Sequence, residues 1–311
     1  MSGEHRPSIA AGTGRAASGL RRPLATVEPV NEWVQAVVLG IVQGLTEFLP
    51  ISSSAHLRVT AELLGWEDPG AAFTAVTQLG TETAVLLYFR HDIWNILSAW
   101  TRSLWTPALR SSLDARTGWY VIVGTLPIAV LGLLLEDLID EQFRDLRLVA
   151  LMLAAFAIVL GVADRVGRKS KELDELTLRD SVLFGFAQAL ALVPGVSRSG
   201  GTLSAGLLLG YSRVAAARYS FLLAVPAVLA SGLYKLTDID ETGAPAWGPT
   251  LLATVIAFGV GYVVIVGFLR YLGSGTFRPF VLYRIALAAL LVVLIATGVL
   301  DPAPVVEALA R

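Results

Sequence analysis

Between Gln43 and His56 the chain reads Gln-Gly-Leu-Thr-Glu-Phe-Leu-Pro-Ile-Ser-Ser-Ser-Ala-His, a polar island inside an apolar stretch. It offers an amide, the carboxylate of Glu47, the hydroxyls of Ser52, Ser53 and Ser54, and the imidazole of His56. A second island, Pro194-Gly-Val-Ser-Arg-Ser-Gly-Gly-Thr202, adds the guanidinium of Arg198 between Ser197 and Ser199. A single charge at membrane depth costs roughly 2.5–3.5 kcal/mol on insertion scales, so ionisable groups in such surroundings point to function. An acid, a cation, a histidine and several hydroxyls are together the equipment of a phosphate site.

Gln43 and Glu47 are four residues apart and project from one face of a helix. They form a hard-oxygen pair suited to Mg²⁺ or Ca²⁺, cations held by few protein carboxylates plus substrate phosphates. The plainer alternatives are an interhelical hydrogen bond for Gln43 and an ion pair with Arg198 for Glu47. Pro50 ends one helix, and a new one is expected at the three serines, where free N–H groups and the positive dipole end favour an anion. One serine suffices as a cap, which leaves the others as ligands or nucleophiles. His56 reads as a general base and acid for Ser53, three residues away, against the alternative of a hydrogen bond to a neighbouring helix. Around Arg198, a planar fork suits phosphate and the glycines let backbone N–H groups approach. Ser52, Ser54, Ser197, Ser199, Gly200 and Thr202 are the expected substrate-binding set.

The elements that must carry these groups follow from composition. Of 311 residues 55% are hydrophobic and 16% charged, with a mean hydropathy of +0.66. Soluble domains average about 25% charged, so an ordinary soluble fold is excluded. Apolar runs lie near 33–50, 53–65, 71–89, 118–136, 148–164, 180–194, 199–210, 214–233, 250–270 and 279–299. Runs flanking each polar island are short and broken by Pro or Gly, and read as helices that enter partway and return, tolerated only where protein or a watery cavity covers them. The other six are long enough to cross completely, which takes ~20 residues. Gly40, Gln43, Leu45, Ser52 and Ser54 match Gly185, Gln188, Leu190, Ser197 and Ser199 at a constant offset of 145 residues. The expected fold is an all-α polytopic membrane protein: six transmembrane helices plus two re-entrant pairs in an inverted-topology repeat, with halves near 33–165 and 178–300. Residues 31–300 form one membrane domain between tails at 1–30 and 301–311, the first expected to be disordered. Such repeats place a shared site near the midplane.

Loop charges predict orientation. Residues 90–117 (Arg90, Arg102, Arg110, Arg116) and 165–179 (Arg165, Arg168, Lys169, Lys171, Arg179) read as cytoplasmic. The acidic segments 136–147 and 235–241 read as external, which places both termini outside although the N-terminal tail carries arginines. Ile93, Trp94, Leu97, Trp100, Leu104 and Trp105 fall at helical spacing, the pattern of a helix lying in the interface. A net charge of -1 gives no reason to expect nucleic acid, and the absence of cysteine excludes disulfides and thiolate chemistry.

The first island resembles the (E/Q)xxxE segment and P-[VI]-S-S-[ST]-[GA]-H motif of the bacterial undecaprenyl-diphosphate phosphatases of the bacitracin-resistance type. The second resembles that family's PGxSRSG motif, and Phe73–Gly80, Phe221–Pro226 and Tyr283-Arg284 fit its pattern. The resemblance runs from about residue 32 to 299. It implies a multi-pass plasma-membrane enzyme that hydrolyses undecaprenyl diphosphate to the monophosphate, recycling the lipid carrier of peptidoglycan synthesis with a divalent metal. By motif position it gives Gln43 and Glu47 the places of the acidic pair, His56 that of the catalytic histidine, and Ser53 and Arg198 those of the active-site serine and arginine. Gln43 departs from the glutamate common at its position, and Ala55 from the frequent glycine. Expected partners are the polyprenyl diphosphate and membrane lipids, with a homodimer admitted and the site opening outward. A polyprenyl-phosphate transporter or flippase with the same site is the competing expectation.

Overall fold

The computed structural model describes residues 31–135, 145–238 and 246–302; both tails and most of the two acidic connections lie outside this set. Among the described residues there is no β-strand. The chain forms α1 (Glu32–Thr46), α2 (Ser53–Leu63), α3 (Gly70–Tyr88), α4 (Arg90–Trp105), α5 (Leu113–Leu134) and α6 (Leu146–Val166) in its first half. The second half forms α7 (Leu178–Ala189), α8 (Arg198–Leu208), α9 (Arg213–Tyr234), α10 (Trp247–Leu272) and α11 (Arg278–Ala296).

Five of these, α5, α6, α9, α10 and α11, are long and apolar enough to cross a membrane. The sixth expected crossing, α3, is not among them. Its 19 residues reach about 28 Å at 1.5 Å per residue, close to the bilayer core. Its apolarity is diluted by Thr74, Thr77, Gln78, Thr81, Glu82 and Thr83, of which Thr77, Thr81 and Glu82 are buried.

The 145-residue offset is physical. Helices α2 and α8 are 11 residues each and begin 145 positions apart. Lipid supplies no hydrophobic force between helices, so close packing needs small side chains. A Cβ on Gly40 of α1 would lie 2.7 Å from the Ala253 carbonyl oxygen of α10, and one on Gly44 3.0 Å from that of Ala257. Its mate Gly185, on α7, seats against α5 in the same way: a Cβ there would lie 2.3 Å from the Gly124 carbonyl. Each half's first helix therefore docks on a long helix of the other half, and this exchange knits the two polar islands together.

At both breaks a non-glycine residue takes a positive φ, 74° at Ser52 and 72° at Ser197. Conformations of this kind cost of order 1–3 kcal/mol each and persist only where surroundings hold them. The holder is Arg284 of α11. Fully buried, it donates to the carbonyls of Pro50 (3.1 Å), Gly195 (2.7 Å), Val196 (3.1 Å), Leu153 (3.2 Å) and Met152 (3.4 Å). One guanidinium thus satisfies backbone acceptors that both breaks release. The helix expected from the Ile93–Trp105 spacing is present as α4: its Trp94 and Trp105 are 72% and 79% exposed, while Trp100 packs edge-on against Trp119 of α5.

Candidate active site

The two breaks meet at a cavity of about 490 Å³. Glu47, Ser52, Ser53, Ser54, Ser197 and Arg198 line its polar end. Its walls come from Ala71, Ala75 and Gln78 of α3, Ile128 and Leu133 of α5, and Ala227, Ala230 and Tyr234 of α9.

Glu47 is the hub. Its Oε2 accepts from Gln43 Nε2 at 2.8 Å and from Ser53 Oγ at 2.6 Å, and its Oε1 accepts from Arg198 Nη2. The ion pair joins the first island to the second, with the carboxylate almost wholly buried and the guanidinium partly open to the cavity. One of the plain alternatives is present, the Glu47–Arg198 ion pair; the interhelical hydrogen bond expected of Gln43 is not, since its amide donates to Glu47 four residues on. Arg198 still presents unused donors to the cavity, because one Nη2 contact leaves most of its five N–H groups free.

Ser52 and Ser197 occupy equivalent positions ahead of α2 and α8. Ser197 Oγ accepts from the Gly200 N–H at 3.1 Å, a working N-cap, whereas Ser52 makes no side-chain cap bond. Ser52 instead faces Ser54, 3.3 Å between oxygens, as Ser197 faces Ser199 at 3.2 Å. The N-terminus of α2 is therefore left with uncapped N–H groups at the cavity, the arrangement that favours a phosphate oxygen.

Three members of the expected substrate-binding set lie elsewhere. Thr202 is fully buried, its hydroxyl returned to the Arg198 and Ser199 carbonyls of its own helix. Ser199 donates to the Leu49 carbonyl at 3.0 Å and ties the two islands. Gly200 packs under Arg284, where a Cβ would lie 2.8 Å from Nη1. None of the three lines the cavity.

Ser53 and His56 are not hydrogen-bonded to each other in this structure, and each has other partners. His56 does not line the cavity. Its Nδ1 lies 2.7 Å from the Ser52 carbonyl and its Nε2 2.7 Å from the Tyr283 hydroxyl of α11. A carbonyl only accepts, so Nδ1 carries a proton, and Nε2 pairs with the Tyr283 hydroxyl. Three residues turn a helix by about 300°, leaving roughly 60° between the side chains; Glu47 draws one and α11 the other.

The donor set fits a hard divalent cation. Glu47 and Ser53 are oxygen donors, and Gln43 Oε1 is buried without a hydrogen-bond partner, as an unfilled ligand would be. No group of three acidic or histidine side chains is gathered among the described residues, so substrate phosphates would complete the coordination.

The reading from spacing missed Arg284 and Tyr283 as parts of this centre. Arg284 sits as a charge in an apolar run, the signal that exposed Glu47.

The family model for "Bacitracin resistance protein BacA" matches residues 36–290. An "Undecaprenyl-diphosphatase 2" of Streptomyces coelicolor is 57% identical over 282 residues, covering 87% of this chain and 97% of its own length. An "Undecaprenyl-diphosphatase" of Nocardioides sp. is 57% identical over 86% of this chain and 98% of its own, and one of Micrococcus luteus 57% over 86% and 99%. The chain, a polytopic helical membrane protein whose two broken helices meet in one polar cluster, belongs to the bacitracin resistance protein BacA family.

Proposed function

We propose that the chain hydrolyses undecaprenyl diphosphate to undecaprenyl phosphate and phosphate, an activity that recycles the lipid carrier and underlies tolerance of bacitracin. The observation that carries this reading is the cavity itself. A carboxylate, a guanidinium and uncapped helix N–H groups sit at the end of a mostly apolar chamber walled by long helices. A water-soluble phosphate compound does not need such walls; a phosphorylated lipid does.

In this reading Arg198 and the N-terminus of α2 bind the diphosphate and take up charge as the phosphoanhydride breaks. Ser53 Oγ attacks the terminal phosphorus and its proton passes to Glu47 Oε2, the acceptor already 2.6 Å away. Undecaprenyl phosphate leaves, and water then releases phosphate from the serine. Gln43 orients Glu47 through its amide. His56, held by Ser52 and Tyr283, supports the α2 turn. When bound by Glu47 with Gln43 Oε1, Mg²⁺ or Ca²⁺ would neutralise phosphate oxygens.

The cavity lies toward the N-terminal end of α3 and the C-terminal ends of α5 and α9. The arginine-rich ends of α4 and α6 belong to the opposite side by the same helix directions, so the positive-inside rule turns the site to the external face. The inverted repeat follows from the same assignment.

The test is phosphate release from undecaprenyl diphosphate by purified protein in detergent. Release that Arg198→Lys reduces supports hydrolysis. Absence of release, with movement of polyprenyl phosphate across proteoliposomes, would replace it by the transporter reading.

A further inference from the structure

Four residues after Gln78, which lines the cavity, α3 carries Glu82. Residues at i and i+4 share a helix face, so Glu82 lies one turn deeper than the cavity wall. It is 1% exposed, its Oε1 is buried, and no hydrogen bond reaches it among the described residues. Its neighbour Thr81 and Phe48, which follows Glu47, both border Gly261 of α10, at 3.2 Å and 3.1 Å from its would-be Cβ. The charges of Arg198 and Glu47 act on the Glu82 carboxyl group.

Three hard oxygen donors, those of Glu47, Glu82 and Gln43, therefore belong to one buried neighbourhood. Two of them, Glu82 Oε1 and Gln43 Oε1, have no hydrogen-bond partner. Glu47 is neutralised by Arg198, and no salt bridge offsets a charge on Glu82 among the described residues. Buried carboxylates occur where they are paired or bind metal. We propose that Glu82 is a second carboxylate of the site, carrying the charge that Gln43 lacks, and that it completes with Glu47 and Gln43 Oε1 a site for one divalent cation. This rests on the cation reading of the proposed function and adds a ligand from a third helix.

The test uses the full chain in detergent, without lipid, and Mn²⁺ as the probe, with free Mn²⁺ counted by electron paramagnetic resonance. Wild type is expected to bind one Mn²⁺, and Glu82→Gln to weaken it at least about tenfold, the loss of one charged ligand. The double variant Gln43→Glu/Glu82→Gln returns the carboxylate from α1 and should recover affinity to within about threefold of wild type. In thermal melts Mn²⁺ should raise Tm for wild type and the double variant more than for the single one. Wild-type affinity in Glu82→Gln, whether or not its metal-free Tm falls, assigns Glu82 a packing role and overturns the proposal. A double variant as weak as Glu82→Gln overturns it also. No Mn²⁺ bound by wild type removes the cation reading itself, while phosphate release would still stand.

Discussion

Ser53 and Glu47 share a hydrogen bond of 2.6 Å, and their substitution separates two chemistries. If Ser53 attacks phosphorus and Glu47 takes its proton, Ser53→Ala and Glu47→Gln should each cost about 10²-fold or more in kcat, and the double variant hardly more than either. Losses that multiply would favour a water activated apart from Ser53. His56→Ala should be milder and should multiply with Ser53→Ala, because the His56 hydrogen bonds go to Ser52 and Tyr283. Arg198→Lys keeps charge but loses the fork; turnover should fall at least about tenfold, roughly 1.4 kcal/mol, with the protein folded. Steady-state kinetics on variants with wild-type melting profiles decides each case. Excess chelator should abolish turnover and Mg²⁺ or Ca²⁺ restore it; full activity in chelator would take the cation out of the mechanism.

At the scale of elements, the breaks depend on glycine seats and on one buried arginine. A Cβ at Gly80 of α3 would stand 2.1 Å from the Thr254 carbonyl, and at Gly185 2.3 Å from that of Gly124. Both obstacles are backbone, so the helices must part; Gly80→Ala and Gly185→Ala should each destabilise by about 1–3 kcal/mol. Gly259 of α10 has nothing within 4 Å, and its change to Ala should leave stability unchanged or raise it by up to about 1 kcal/mol through helix propensity. Thermal melts of the three variants give the comparison. Arg284→Met strips the break carbonyls of Pro50, Gly195 and Val196 of their donor, each worth about 1–3 kcal/mol when left unsatisfied. It should abolish folding or melt far below the glycine variants; a wild-type melt would show that the breaks hold themselves.

The whole molecule has a direction, set by where its charges and its cavity lie. A chain without cysteine allows single thiols to read that direction. With Lys235→Cys, at the cavity mouth, an impermeant maleimide should label intact cells. With Lys169→Cys, in the basic connection after α6, it should label only after permeabilisation. The reverse pattern would place the site on the cytoplasmic side. α4 fits the same frame, since its outward Trp94 and Trp105 suit the headgroup level next to arginine-rich connections.

Much of this was written in the chain. Apolar run lengths are set by bilayer thickness, so the helical, polytopic class follows from composition. Polar residues inside apolar runs are costly enough to be informative alone, which exposed Glu47, Ser53 and Arg198; the 145-residue offset anticipated the spacing of α2 and α8. What spacing could not supply was which way a side chain turns once neighbours compete for it. Ser53 and His56 lie about 60° apart on one helix, and only Glu47 on one side and Tyr283 on the other divide them. Thr202 and Ser199 look like ligands in a motif until packing of α8 consumes their hydroxyls. Arg284 lies 234 residues from Pro50, whose carbonyl it holds. Local pattern determines what a segment is; the meeting of distant segments, decided by glycine seats and one buried guanidinium, belongs to the tertiary structure alone.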